Sequence, residues 1–177
     1  RLGTALASVR NGTAIHNSGY DAGFSSVSGF RDAFQKLFGS LPSGANELVI
    51  VHGKVLESPL GSLLILADDS GLRMLEFVDR RGLERELKTM RIRLQCAIVR
   101  GTNAHIRSIE KELKAYFEGE LREFKTPVSS MGSPFQCRVW ANLMKIPYGK
   151  TISYADLSKK VGSPAAHRAV GSANGAN

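Results

Sequence analysis

Residues 133–177 read SPFQCRVWANLMKIPYGKTISYADLSKKVGSPAAHRAVGSANGAN, and their punctuation decides how the chain is put together. Ser133 followed by Pro134 is an N-cap with a proline in the first helical turn, where the missing N–H costs nothing. Phe135, Val139, Trp140, Leu143 and Met144 give that helix an apolar side, and Ile146-Pro147-Tyr148-Gly149 ends it. Ser153, with Asp156 three residues on, has capping-box spacing and predicts a helix through Val161, stopped by Gly162. Ser163-Pro164 repeats the cap-and-proline device and predicts a last helix from Ala165 to Ala173. Short helices joined by tight glycine-containing turns form a helix-turn-helix pattern.

Helical spacing puts Ala165, Arg168, Ala169 and Ser172 on one side of that last helix. Three small side chains around one arginine suit two situations. One is close approach to a nucleic-acid groove, whose phosphates attract the guanidinium; the other is packing against a neighbouring helix. The charge distribution bears on the choice. The chain holds 24 Lys+Arg and 16 Asp+Glu, a net charge of +8, and residues 133–177 carry 6 basic and 1 acidic side chains of these. Residues 1–52 hold 4 and 3, and residues 53–132 hold 14 and 12. A basic concentration of this kind implies a polyanion partner or a solubilising surface.

Upstream, the character is β followed by mixed. Strands are expected over Glu47–Val51, Ser58–Ala67 and Gly71–Val78, the last after an Asp-Asp-Ser-Gly turn. Leu83, Leu87, Met90 and Leu94 mark an amphipathic helix, Cys96–Val99 a short strand, and Ile106, Ile109, Leu113 and Tyr116 or Phe117 a second helix. The expected fold class is α+β, with helices packed on a mostly antiparallel sheet. His52 and His105 are isolated and read as surface or structural residues.

At the beginning, residues 1–10 have helical composition and Asn11-Gly12 is a stop. Thr13 can cap a second helix over Ala14–Ala22, ending at Gly23. Ser25 or Ser26 can cap a third, in which Phe30, Phe34 and Leu37 recur at helical spacing until Gly39, with Pro42 beyond. This is a helix-turn-helix or an ordinary helical hairpin. Residues 43–52 begin with a small-polar SGAN stretch that reads as a linker.

The 177 residues, 42% hydrophobic and 23% charged, are a globular mixture with room for one ordinary domain or two small ones. No apolar run approaches the roughly 20 residues of a spanning helix and no charged-then-apolar leader opens the chain, so neither a membrane partner nor secretion is expected. Cys96 and Cys137 cannot by themselves make a disulfide framework or a four-ligand zinc site. A reducing, cytoplasmic setting is expected, with no metal and no cofactor.

Residues 133–177 resemble the DNA-binding segment of the O6-alkylguanine-DNA alkyltransferases, the methylated-DNA–protein-cysteine methyltransferases. The resemblance is carried by Phe135-Gln136, Val139-Trp140, Ile146 to Gly149, Ser153-Tyr154, Arg168 to Gly171 and Asn177. Glu57–Phe77 (ESPLGSLLILADDSGLRMLEF) resembles the family's amino-terminal subdomain. Gly19–Pro42 (GYDAGFSSVSGFRDAFQKLFGSLP) separately resembles the end of an AraC-type DNA-binding domain, and the combination looks like an Ada-type regulator of the adaptive response. The implied architecture is a partial AraC-type helix-turn-helix over residues 1–42, the linker over 43–52, a ribonuclease-H-like α+β subdomain over 53–132, and a winged-helix-like DNA-binding subdomain over 133–177 that is incomplete at its end.

What the resemblance implies for function is repair of O6-alkylguanine, and O4-alkylthymine, in double-stranded DNA by irreversible transfer of the alkyl group to a protein cysteine, by a monomer that also binds promoter DNA. The target base must leave the stack. The resemblance assigns Arg168 to the gap left by the flipped nucleotide and Tyr154 to crowding its phosphate. Ala165, Ala169, Gly171 and Ser172 become the small residues that admit a helix to the minor groove, and Asn177 a hinge. Ser26, Ser28 and Arg31 would contact DNA from the first helix-turn-helix. The family's Pro-Cys-His-Arg motif is expected after Asn177, so the polypeptide as given holds no catalytic residue and is expected not to accept an alkyl group. Two other readings remain: a non-enzymatic alkyltransferase-like lesion binder, and a purely transcriptional AraC-type factor.

Overall fold

The computed structural model describes residues 1–38 and 42–176, the side chains of residues 37 and 38 excepted. The expected contact of Leu37, the Gly39 stop and the Asn177 hinge therefore lie outside the described residues. A four-stranded sheet forms the middle of the chain, in the order β3-β2-β1-β4. Its strands are β1 (Val49–Ser58), β2 (Gly61–Asp68), β3 (Gly71–Phe77) and β4 (Cys96–Arg100). The first three form an antiparallel meander, and β4 joins β1 in parallel after the crossover helix α4 (Leu83–Leu94).

The first strand is longer than expected and the second starts later, because Ser58 ends the first strand and pairs with Gly61 across the hairpin. Its Oγ donates to the Gly61 carbonyl at 2.6 Å and accepts the Leu60 N–H at 3.2 Å. Gly61 has φ +125°, a region costly for other residues. Pleating then sorts side chains between two faces. On one, Val51, Leu66 and Cys96 meet Met90 of α4. On the other, Leu63, Ile65, Ala67 and Leu72 meet Ile106, Ile109 and Leu113 of α5 (Ala104–Phe117), whose N-cap Asn103 accepts the Ile106 N–H at 2.9 Å.

The chain begins with α1 (Leu2–Arg10), α2 (Ile15–Asp21) and α3 (Val27–Phe38). Ala14 rather than Thr13 is the N-cap of α2, and it makes no side-chain cap bond. Ser26 starts α3 by accepting the Gly29 N–H at 3.1 Å. Phe30 and Phe34 are fully buried and meet edge to face at 5.6 Å. Gly19 packs closely beside them, since a Cβ there would lie 3.0 Å from the Phe30 ring and push it by a few tenths of an ångström.

Residues 43–52, expected as a linker, hold most of a 3₁₀ helix (Pro42–Glu47) and the start of β1. Pro42, Ala45 and Leu48 are buried. Ala45 and Leu48 belong to one apolar cluster with Leu6, Phe30, Phe34 and Ala97 of β4, while Arg10 donates to the Leu48 carbonyl at 2.8 Å.

A strap, residues 125–131, leads from this layer to the last helices. It forms a parallel bridge between Leu72 and Val128 and is pinned by Arg73, which pairs with the buried Asp68 at 2.7 Å and donates to the Ser129 carbonyl at 3.1 Å.

Candidate nucleic-acid interface

The last unit consists of α6 (Pro134–Leu143), α7 (Tyr154–Lys160) and α8 (His167–Asn174). Ser133 and Gln136 form a complete capping box at the start of α6, and Ser153 accepts the Asp156 N–H to start α7. Val139, Leu157, Val161, Val170 and Ala173 make the core, with Phe135, Trp140, Leu143 and Ile152 packed around it. Trp140 donates its indole N–H to the Ala173 carbonyl at 2.8 Å, which fixes the end of α8 against α6. Gly132 lies under the indole: a Cβ there would come within 2.4 Å of the ring.

The last helix starts two residues later than the sequence suggests. Ala166 is its N-cap, and the Ser163 carbonyl accepts the Ala166 N–H at 2.9 Å, so Ser163 closes a turn through its backbone instead of capping through its hydroxyl. Buried Ser158 supports the turn, its Oγ lying 2.7 Å from the Ala155 carbonyl and 3.0 Å from the Pro164 carbonyl. Ala165 therefore sits in the turn, exposed, and is not on the helical face that spacing assigned to it.

Arg168, Ala169 and Ser172 are exposed on α8. Among the described residues Arg168 has no ion pair or hydrogen bond, so its guanidinium is available to an external anion. Tyr154, 49% exposed, stands beside them. Its ring covers Gly171, where a Cβ would lie 3.4 Å from Cε2, and its hydroxyl accepts from the Asn174 side chain at 3.3 Å. Asn174 escaped the sequence reading, since nothing local marks a contact 20 residues away.

Around this face Lys145, Lys150, Lys159 and Lys160 are exposed. Lys159 is partly committed to Asp156 at 3.0 Å, leaving the other three free to meet phosphates. A second feature missing from the sequence reading flanks the Ile146–Gly149 turn. Tyr148 meets Tyr116 of α5 edge to face at 6.5 Å, and the Arg122 guanidinium lies 5.6 Å from its ring centre. These contacts tie the turn to the α+β layer.

In the first helices Ser28 and Arg31 are exposed on α3, whereas the Ser26 hydroxyl is occupied as the cap. Neither cysteine is placed as an activated nucleophile. Cys96 is fully buried, burial pushes its thiol pKa up, and its Sγ lies 3.8 Å from the Met90 carbonyl. Cys137 is half-buried in α6, with Sγ 3.3 Å from the Gly132 carbonyl. Among the described residues no group of three or more His, Cys, Asp or Glu side chains could hold a metal.

A four-stranded α+β layer thus carries a helical unit whose exposed face is basic and built of small residues, an arrangement suited to a polyanion. Residues 51–130 match the family model of the ribonuclease-like domain of 6-O-methylguanine DNA methyltransferase, and residues 134–177 that of its DNA-binding domain. The chain belongs to the methylated-DNA–protein-cysteine methyltransferases, a family of enzymes. It is 35% identical over 123 residues to the Methanosarcina acetivorans methyltransferase, covering 70% of this chain and 73% of that one. The constitutive Bacillus subtilis enzyme is 52% identical over 68 residues, 38% of this chain and 41% of that protein. The crystal structure of Mycobacterium tuberculosis O6-methylguanine methyltransferase aligns with a TM-score of 0.59 at 35% identity, over 72% of this chain and 71% of that one. The same organism's OGT in complex with DNA aligns at 0.58 over the same shares.

Proposed function

We propose that this chain recognises O6-alkylguanine in duplex DNA, for irreversible transfer of the alkyl group to a protein cysteine, through α7 and α8. The observation that carries the reading is the unpaired, exposed Arg168 among the small residues Ala169 and Ser172, with Tyr154 held beside it by Gly171 and Asn174. A helix this bare can approach a minor groove closely, and an arginine inserted into the stack can stand in for an extruded base. Tyr154 would crowd the phosphate of the departing nucleotide. Ala165, at the turn before α8, would meet the backbone instead of the groove floor.

The same reading makes α1–α3 an AraC-type element in an Ada-type arrangement, with Ser28 and Arg31 facing promoter DNA and Ser26 holding the start of α3. The experiment is a binding series of wild type and Arg168→Ala on a duplex containing O6-methylguanine and on the matching plain duplex. Arg168→Ala should lower the preference for the lesion by about tenfold or more, equivalent to about 1.4 kcal/mol. Equal losses on both duplexes would remove the wedge role. Lys145, Lys150 and Lys160 should behave oppositely, each neutralisation reducing the salt dependence on both duplexes by about one phosphate contact.

A further inference from the structure

The sheet face that carries α4 is not fully covered by it, and the uncovered part is a cavity of about 650 Å³. Its floor is apolar and comes from three strands: Gly53 and Val55 of β1, Leu64 and Leu66 of β2, and Ile98 of β4, with Leu87 of α4 as a wall. Register puts these side chains on one face, since Gly53 pairs with Leu66 and with Arg100, and Val55 pairs with Leu64. Gly53 keeps the floor open in a particular way. A Cβ there would come within 2.9 Å of the Leu66 side chain, so the position has no room for one and the depression stays. Val55 is left 51% exposed in the middle of the sheet.

The charged groups around this apolar floor are all cationic, with Thr102 the one neutral polar side chain of the lining. Arg91, Arg100 and Lys54 contribute to the lining, and no carboxylate does. Lys54 turns its ammonium to the opposite face, where it pairs with Glu110 at 2.6 Å. Arg91 and Arg100 have no such partner among the described residues, and the Arg91 Nε is buried without a hydrogen bond. A buried guanidinium N–H left unmatched costs free energy that an incoming anion would recover. The volume lies within the range of small-ligand sites, and a mostly apolar lining with a few placed charges is the usual design of such sites.

We propose that this cavity binds a small amphipathic anion, a carboxylate on an aliphatic or aryl body, with the body on the Val55, Leu64, Leu66 and Ile98 floor and the carboxylate on Arg91 and Arg100. The lining shares no residue with α6–α8, so the site is separate from the proposed lesion face.

The test is calorimetric titration of the full 177-residue chain with decanoate, and with decanol as the neutral body of the same length. Decanoate should bind saturably at one site and decanol at least about tenfold more weakly, the loss expected for a charge-assisted hydrogen bond. Arg91→Met, which keeps the apolar stem, should reduce decanoate binding by a similar factor. Because Arg91 also lies against the sheet, Val55→Glu serves as a second variant: the residue is already half exposed, so the fold tolerates it, and its charge should repel decanoate without strengthening decanol. Equal binding of decanoate and decanol, indifference to both substitutions, or no saturable binding would each overturn the proposal.

Discussion

Tyr154 illustrates how one residue position can separate stability from recognition. Its ring lies over Gly171 with the space of an ordinary methyl contact between them, because a Cβ at that glycine would sit 3.4 Å from the ring. Gly171→Ala should therefore be accepted and should raise stability by about 0.5–1 kcal/mol, the usual gain when a helical glycine is replaced. Gly171→Val adds two methyl groups where the ring stands and should displace it, lowering lesion binding while circular dichroism still reports an intact α8. Loss of lesion binding in the alanine variant would contradict the geometry. The cysteines provide a second contrast. Cys96 is fully buried, with its pKa raised by that burial, and Cys137 is half-buried against the Gly132 carbonyl, so neither presents a freely exposed thiol. After incubation with duplex containing O6-methylguanine, the 177-residue chain should carry no methyl group on a peptide containing either cysteine; finding one there would refute this placement.

At the level of elements, the start of the strap joining the α+β layer to the helical unit is held by one carboxylate, as its later part is by Arg73. Glu112 of α5 accepts the Lys125 N–H at 2.8 Å, the Thr126 N–H at 3.2 Å and the Thr126 hydroxyl at 2.7 Å. Burial raises its pKa, but the Thr126 hydroxyl and the two backbone N–H groups outweigh it, and the net value is lowered. A carboxyl whose pKa is depressed by folding stabilises the native state above its unfolded value, and this contribution is lost as pH falls through the folded one. Glu112→Gln should thus cost about 1–3 kcal/mol at neutral pH and remove part of the acid destabilisation seen below about pH 4. An unchanged acid limb in denaturation curves would show that the strap is held otherwise. Local signals such as these were unevenly legible. Ser133 with Pro134, and Ser153 with Asp156, act over one to three residues and could be read directly, as could the amphipathic spacing of α4 and α5, whereas the reciprocal bond of Gln136 at the start of α6 was seen only in the structure. The start of α8 could not, because Ser163 uses its carbonyl and Ser158 supports the turn from the preceding helix. The length of β1 was hidden because Gly53 and Lys54 interrupt its apolar run, while pairing with both Ala67 and Val99 at His52 holds it in the sheet. The contact of Asn174 with Tyr154 was not legible, being a product of tertiary packing.

Over the whole molecule, the first three helices and the sheet share one core. Ile50 pairs with Ala97, and His52 pairs with both Ala67 and Val99, so the side chains under α1–α3 lie on the same sheet face as those under α5. Ala97 is fully buried in the cluster containing Phe30, Phe34, Ala45 and Leu48. A composition of small polar residues over 43–46 looks like a flexible joint in sequence, yet Ala45 is buried and Arg10 bonds the Leu48 carbonyl across it. Shared burial couples the two parts, since opening either exposes apolar surface of the other. Residues 43–48 should accordingly resist limited proteolysis, and hydrogen exchange should report similar opening free energies for α3 and β4. Phe34→Ala removes a large, fully buried side chain and should cost about 3–5 kcal/mol, with protection falling in α3 and β4 together and cleavage appearing within 43–48. If instead α1–α3 lost protection while β4 kept it, the helices would be an independent unit resting on the sheet, and promoter binding and lesion binding in the proposed arrangement would have no rigid connection through this core.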